Sequence, residues 1–164
     1  ITSSPCPIRR RREMSTVVQV IDTGRTYRGY PVPYTILWQE GAPKPDFTQI
    51  DQVKVRKCNR NHLCGICGKW FDVHQEVAWM AGASFLHTPR GWFVAPPMHP
   101  ACAEFAGTMC PFLSRGRVRS PEDTPVDTAP DTGDYYIILG LGILYKGLFT
   151  RPQRLTGRKK VGGI

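Results

Sequence analysis

Apolar residues in this chain come in short runs cut by Gly- and Pro-containing breaks, with no long periodic stripe. Such a pattern predicts several short strands and one short helix rather than a helical bundle. Residues 17–21, all but one apolar, read as a strand, and residues 34–39 (Tyr-Thr-Ile-Leu-Trp-Gln) as another. After a turn carrying Gly41, Pro43 and Pro45, the imperfect alternation over residues 47–55 fits a second strand or the start of a short helix. Val73, Val77, Trp79 and Phe85, then Trp92-Phe93-Val94, give two strand-like pieces of a hairpin, with turn residues between them. Pro96-Pro97 ends the extended stretch, and residues 100–107 predict a short helix containing Ala101, Ala103, Phe105 and Ala106. Residues 135–149 are apolar but too short for a spanning helix, which needs about 20 apolar residues, and predict a buried strand or strand pair.

Chemistry enters with Cys64-Gly-Ile-Cys67 and, after 31 intervening residues, His99-Pro-Ala-Cys102. Gly65 and Gly68 allow a tight turn that aims two thiolates at one point. Proline directly after His99 suits the first turn of a helix, where its missing N–H costs nothing, and residues three apart share a helix face. Cys64, Cys67, His99 and Cys102 therefore form a candidate Cys3His set for one structural Zn2+, and four protein ligands leave no open position for a catalytic water. The fold class expected is α+β: a small zinc-stabilised, treble-clef-like domain of knuckle, β-hairpin and short helix, extended by additional strands. So small a sheet needs the metal, because binding free energy becomes folding free energy.

Three other residues lie near enough in sequence to serve as auxiliary ligands or outer partners: Cys58, His62 and Cys110. Each also has a plainer reading, as a bystander, a loop residue or a buried apolar thiol. Six cysteines in 164 residues could form disulfides, but three within ten residues followed by HxxC favour metal.

The formal charge of +9 is clustered at residues 9–12, 54–60, 115–119 and 151–160, against one acidic stretch at 122–134. A basic balance favours an anionic partner such as nucleic acid. The contact residues expected are Arg56, Lys57, Arg60, Lys69, Arg90, Arg115 and Arg117, some of them interleaved with aromatics. Ile1 is no ordinary initiator, and Met14-Ser15-Thr16 reads as a native start. The expected organisation is a disordered leader at 1–15, its first 13 residues upstream of that start, and a zinc-binding α+β domain at 16–119. A flexible acidic linker at 120–134, an apolar β segment at 135–150 packing on the domain, and a basic tail at 151–164 complete it. No secretory signal is visible, so a cytoplasmic setting is expected.

No catalytic constellation is evident. A ββα-metal nuclease would need a hairpin histidine as general base, for which His74 and His87 are the candidates. It would also need a loop Asn, of which there is none between residues 62 and 164, and a free helix histidine, whereas His99 is taken up by the zinc set. No phosphate-cradling GxxxxGK loop or small-molecule site is recognisable.

Arg28-Gly-Tyr-Pro-Val-Pro33, the Cys-Gly-Ile-Cys-Gly knuckle, the run from Ala95 through Pro96-Pro97-Met98-His99 to Ala106, and Cys110-Pro-Phe-Leu113 occur in this order. In this the chain resembles a group of small uncharacterised proteins of actinobacteria and their phages, over roughly residues 28–115. That resemblance implies a zinc-binding domain in a bacterial or phage-infected cytoplasm and no named activity. The function expected is a zinc-stabilised binding or adaptor protein contacting nucleic acid. A phage or bacterial accessory protein that binds a protein partner is the alternative, and the nuclease a third.

Overall fold

The computed structural model describes residues 21–82, 91–110 and 135–161. Among these residues the elements are β1 (Thr26–Tyr27), β2 (Tyr30–Pro31), β3 (Ile36–Leu37), β4 (Asp46–Ile50), α1 (Gln52–Asn61), β5 (Glu76–Gly82), α2 (Pro100–Met109), β6 (Tyr135–Lys146) and β7 (Phe149–Val161). The architecture is mixed α and β, with small antiparallel sheets and two helices, in line with the class expected. Arg90, Arg115, Arg117, Phe85, His87, the leader and the acidic linker lie outside the described residues.

β1 and β2 are joined by Arg28 and Gly29, both at positive φ (51° and 80°), the backbone that a two-residue hairpin turn requires. Arg25 holds the following segment: its Nη2 donates to the carbonyls of Pro33 (2.6 Å), Tyr34 (2.9 Å) and Ile36 (3.3 Å). β3 pairs with β4, and the ambiguous stretch 47–55 resolves into the end of β4 followed by α1. Asp51 caps that helix, its carboxylate accepting from the N–H groups of Val53 and Lys54. Val55, Cys58 and Asn59, at i, i+3 and i+4, form its buried face.

The main sheet has the order β5-β6-β7. β5 is buried on both faces, which is why Val77–Ala81 is a continuous apolar run instead of an alternation. On one face α2 comes so close that a Cβ on Gly107 would stand 2.8 Å from Val161 Cγ1 and 3.8 Å from Met80 Cε. On the other, Trp79 is fully buried, stacks on Phe93 with centroids 5.1 Å apart, and donates from Nε1 to Thr150 Oγ1 at 3.1 Å.

Two expectations change here. The hairpin between the two ligand pairs takes another form: β5 makes its ladder with β6, Phe93 exchanges backbone hydrogen bonds with Thr150, and the returning chain meets β5 through a bridge at Ala78–Met98. The long, apolar β6 offers β5 a full-length partner that the Pro-containing residues 92–97 cannot. Likewise the stretch read as a basic tail is strand β7 as far as Val161, paired to β6 from the Gly147-Leu148 turn onward. Its charged residues mark it as an edge strand, where charge discourages unwanted pairing.

Candidate metal centre

Cys64 and Cys67 sit on a knuckle closed by its own backbone. Leu63 bridges Trp70, Cys64 N–H donates to Lys69 O (2.8 Å), and Gly68 N–H donates to Cys64 O (2.9 Å). α1 delivers the chain to this turn. His62, in the left-handed region at φ 55°, ends the helix, and its N–H and that of Leu63 cap Cys58 O. Both knuckle glycines are required by neighbours: a Cβ on Gly65 would stand 2.7 Å from Pro96 Cγ, and one on Gly68, at φ 71°, 2.8 Å from the Tyr34 ring.

The second pair is placed by hydrogen bonds on both sides of the strand-like segment that precedes it. Gly65 N–H donates to Pro97 O (3.1 Å), tying that segment to the knuckle, while Met98 and Ala78 exchange bonds of 2.8 and 2.9 Å, tying it to β5. His99 is therefore the N-cap of α2, with Pro100 in the first turn, and Cys102 one turn later points the same way. This is the short helix expected, with the ligand pair at its start.

The ligand atoms of Cys64, Cys67, His99 and Cys102 all lie within 4.8 Å of one another. His99 Nδ1 is 3.5 Å from Cys67 Sγ and 3.8 Å from Cys102 Sγ. Tetrahedral coordination at zinc bond lengths requires edges of about 3.6 Å between nitrogen and sulfur. The spacing thus fits an ion, and Nδ1 is the histidine atom turned toward it. Phe71, edge-on to the His99 ring at 6.0 Å and itself buried, steadies that orientation.

Electrostatics point the same way. Cys67 is drawn down to about 2 by hydrogen bonds from the Cys102 and Cys64 thiols, aided by the Lys69 N–H. Cys102 is pushed far up by its hydrogen bonds with Cys64 and Cys67 and by burial. At Cys64 the Cys102 contact favours the thiolate, but the Cys67 hydrogen bond and burial outweigh it and raise the group. Three thiols facing one another can ionise together only around a cation. The backbone N–H groups aimed at Cys64 and Cys67 sulfur are the outer partners such a centre uses.

The auxiliary candidates fall around this group. Cys58 is fully buried on α1, its thiol pushed up to about 12 by burial and by the nearby Cys64. His62 has its ring edge-on to Phe71 at 6.1 Å, and its Nδ1 is buried without a hydrogen-bond partner. Cys110 is the C-cap of α2, at the end of the helix away from His99. Of the expected contact residues, Arg56, Lys57 and Arg60 are exposed on α1 and Lys69 is exposed on the knuckle, beside Trp70, which is 61% exposed. His74 lies in the turn before β5, exposed, its N–H held by Asp72 Oδ1.

Comparison with known protein families, curated proteins and solved structures finds no match to this chain. Among the described residues no helix is long and apolar enough to cross a membrane.

Two contributions were not anticipated from sequence. Asn59 is fully buried and donates from Nδ2 to Leu148 O at 3.2 Å, fastening the β6–β7 turn to α1. Thr35 donates to Gly65 O from both its backbone N–H (3.2 Å) and its hydroxyl (3.1 Å), bracing the knuckle from β3's side. The signal for Asn59 was its place on a helix face with Val55 and Cys58; for Thr35 the sequence carried none.

Proposed function

We propose that Cys64, Cys67, His99 and Cys102 hold one structural Zn2+ in a treble-clef-like centre, and that the protein is a binding module whose α1 face contacts nucleic acid. The observation that supports the nucleic-acid reading is the division of α1. Val55, Cys58 and Asn59 are buried, while Arg56, Lys57 and Arg60 project outward with no carboxylate paired to them among the described residues. Cations left unpaired on a helix anchored beside a rigid centre are free to release counterions from phosphate. Lys69, on the knuckle that α1 leads into, extends the same surface. The closed ligand set favours a structural over a catalytic ion. A bacterial or phage-infected cytoplasm is the setting that the sequence resemblance to small actinobacterial and phage proteins suggests for such a module.

The test is the salt dependence of binding to duplex DNA and to RNA. The log of the affinity should fall with log salt by about 0.9 per phosphate contact, and the triple variant Arg56→Ala, Lys57→Ala, Arg60→Ala should flatten that slope by up to about 2.7 on duplex DNA. Binding that ignores both salt and the triple substitution would exclude the reading. Exposed apolar side chains beside the basic face, Val53 at 72% and Trp70 at 61%, favour a protein partner as the second reading, and association that persists at high salt would select it.

A further inference from the structure

Away from the metal centre, four aromatic residues gather on β1, β2, β4 and the segment after β3, two of them exposed and two half-buried. Tyr27 and Tyr30 are directly paired across the β1–β2 turn, and side chains so paired project from the same face. The Tyr27 ring meets Trp38 edge-on at 6.2 Å and Phe47 at a tilt at 6.4 Å. Tyr27 and Trp38 are half-buried, whereas Tyr30 is 62% exposed and Phe47 55%. Trp38 has its one donor satisfied, Nε1 to Ala42 O at 3.0 Å, so the indole is fixed in place and its remaining surface is apolar. Arg28 lies over the Tyr27 ring at 5.3 Å, exposed, in the left-handed turn that aims it there. The hairpin bearing it is held rigid by the three carbonyls that Arg25 grips.

We propose that this surface is a stacking platform for unpaired bases, so that the nucleic acid bound is single-stranded. The inference rests on the nucleic-acid reading of α1 and names its partner. The exposed rings of Tyr30 and Phe47, set beside the Tyr27–Trp38 pair, offer surface that can accept a base plane. A duplex hides its base faces within its own stack, whereas a single strand presents them. Arg28 adds a guanidinium beside the rings for the adjoining phosphate. The platform and the basic helix are contiguous: β4, which carries Phe47, runs straight into Asp51, the cap of α1, and Asp51 N–H is itself bound to Thr35 O at 2.8 Å. A strand laid across the rings is thereby led along Arg56, Lys57 and Arg60.

The experiment measures fluorescence anisotropy of the zinc-loaded full chain with a labelled oligothymidylate and with a labelled duplex of the same length. Phe47→Leu and Tyr30→Leu keep apolar bulk and remove the π faces. Each should weaken binding to the single strand by about tenfold and leave duplex binding unchanged. Phe47→Trp, which keeps a face, should retain the affinity, and circular dichroism of each variant checks that it is folded. The α1 triple variant should weaken both ligands alike. Equal affinity for single strand and duplex, or leucine variants that lose nothing or lose both ligands equally, would overturn the platform while leaving the α1 reading standing. Failure to bind either oligonucleotide would overturn both readings, and capture instead by phosphatidylserine vesicles, lost in Phe47→Leu, would assign the surface to lipid.

Discussion

Gly68 shows how much one residue carries at this centre. Its φ of 71° belongs to glycine, and the Tyr34 ring lies 2.8 Å from where a Cβ would stand, so two costs coincide there. Gly41 has a similar φ, 80°, with nothing near it. Gly41→Ala should therefore cost about 1–3 kcal/mol of strain, and Gly68→Ala should cost more by the displacement of Tyr34, both read from denaturant midpoints of the metal-loaded protein. Equal losses would show that Tyr34 gives way freely. A second residue-scale contrast separates ligand from neighbour. Cys58→Ala should keep one bound metal ion per chain, because its buried thiol lies outside the converging set, whereas Cys64→Ser and Cys102→Ser should lose it; metal analysis after dialysis decides. Most of the centre was legible in sequence because its information is local: a CxxC turn and an HxxC helix start each fix two ligands by spacing. What spacing cannot say is that Gly65 also receives Thr35 and touches Pro96, since those contacts arise from segments 30 residues or more away.

At the scale of elements, β7 is where the sequence misled and α1 where it left strand and helix both open, for related reasons. The crowd of Lys and Arg over residues 54–60 hides the helix, yet Val55, Cys58 and Asn59 keep helical spacing beneath it and Asp51 supplies the cap. β7 looks like a tail because Pro152, Gly157 and its cations break every strand signal; as an edge strand it tolerates all of them. Its partner β6 was recognisable, but the β5–β6 ladder joins residues separated by more than 50 positions and leaves no trace in local pattern. The helix assignment yields its own expectation. Asp51→Ala removes the acceptor for two N–H groups and the 3.7 Å partner of Lys54, and should lower stability by about 1 kcal/mol. Because α1 leads into the knuckle, the same variant should also bind metal less tightly in a chelator competition. If stability falls and metal affinity does not, the helix and the centre are uncoupled.

For the whole molecule, the metal centre is the point at which the segments meet. The knuckle holds β3's loop through Thr35 and the 96–98 segment through Gly65, that segment holds β5, and Cys64, Phe71 and Cys102 belong to the same buried cluster as Trp79, Phe93 and Ile138. An ion bound there only in the folded state must stabilise the entire cluster and not a detachable finger. With one zinc per chain, the free energy of unfolding should rise by about 1.4 kcal/mol for each tenfold increase in free Zn2+ above the dissociation constant, and a second site would double that slope. Acid should act in the opposite direction. Three thiols, ordinarily protonated at neutral pH with pKa near 8.5, must give up protons to the folded, loaded state, so the unfolded chain binds more protons and stability falls as pH falls. Between about pH 6 and 8 the sulfurs should therefore make the logarithm of the apparent zinc affinity rise by close to two per pH unit, one each for Cys64 and Cys102, because Cys67 is already a thiolate in the folded chain. Titration with a zinc indicator across that range measures it, and a slope near one would mean that Cys64 or Cys102 is not a ligand.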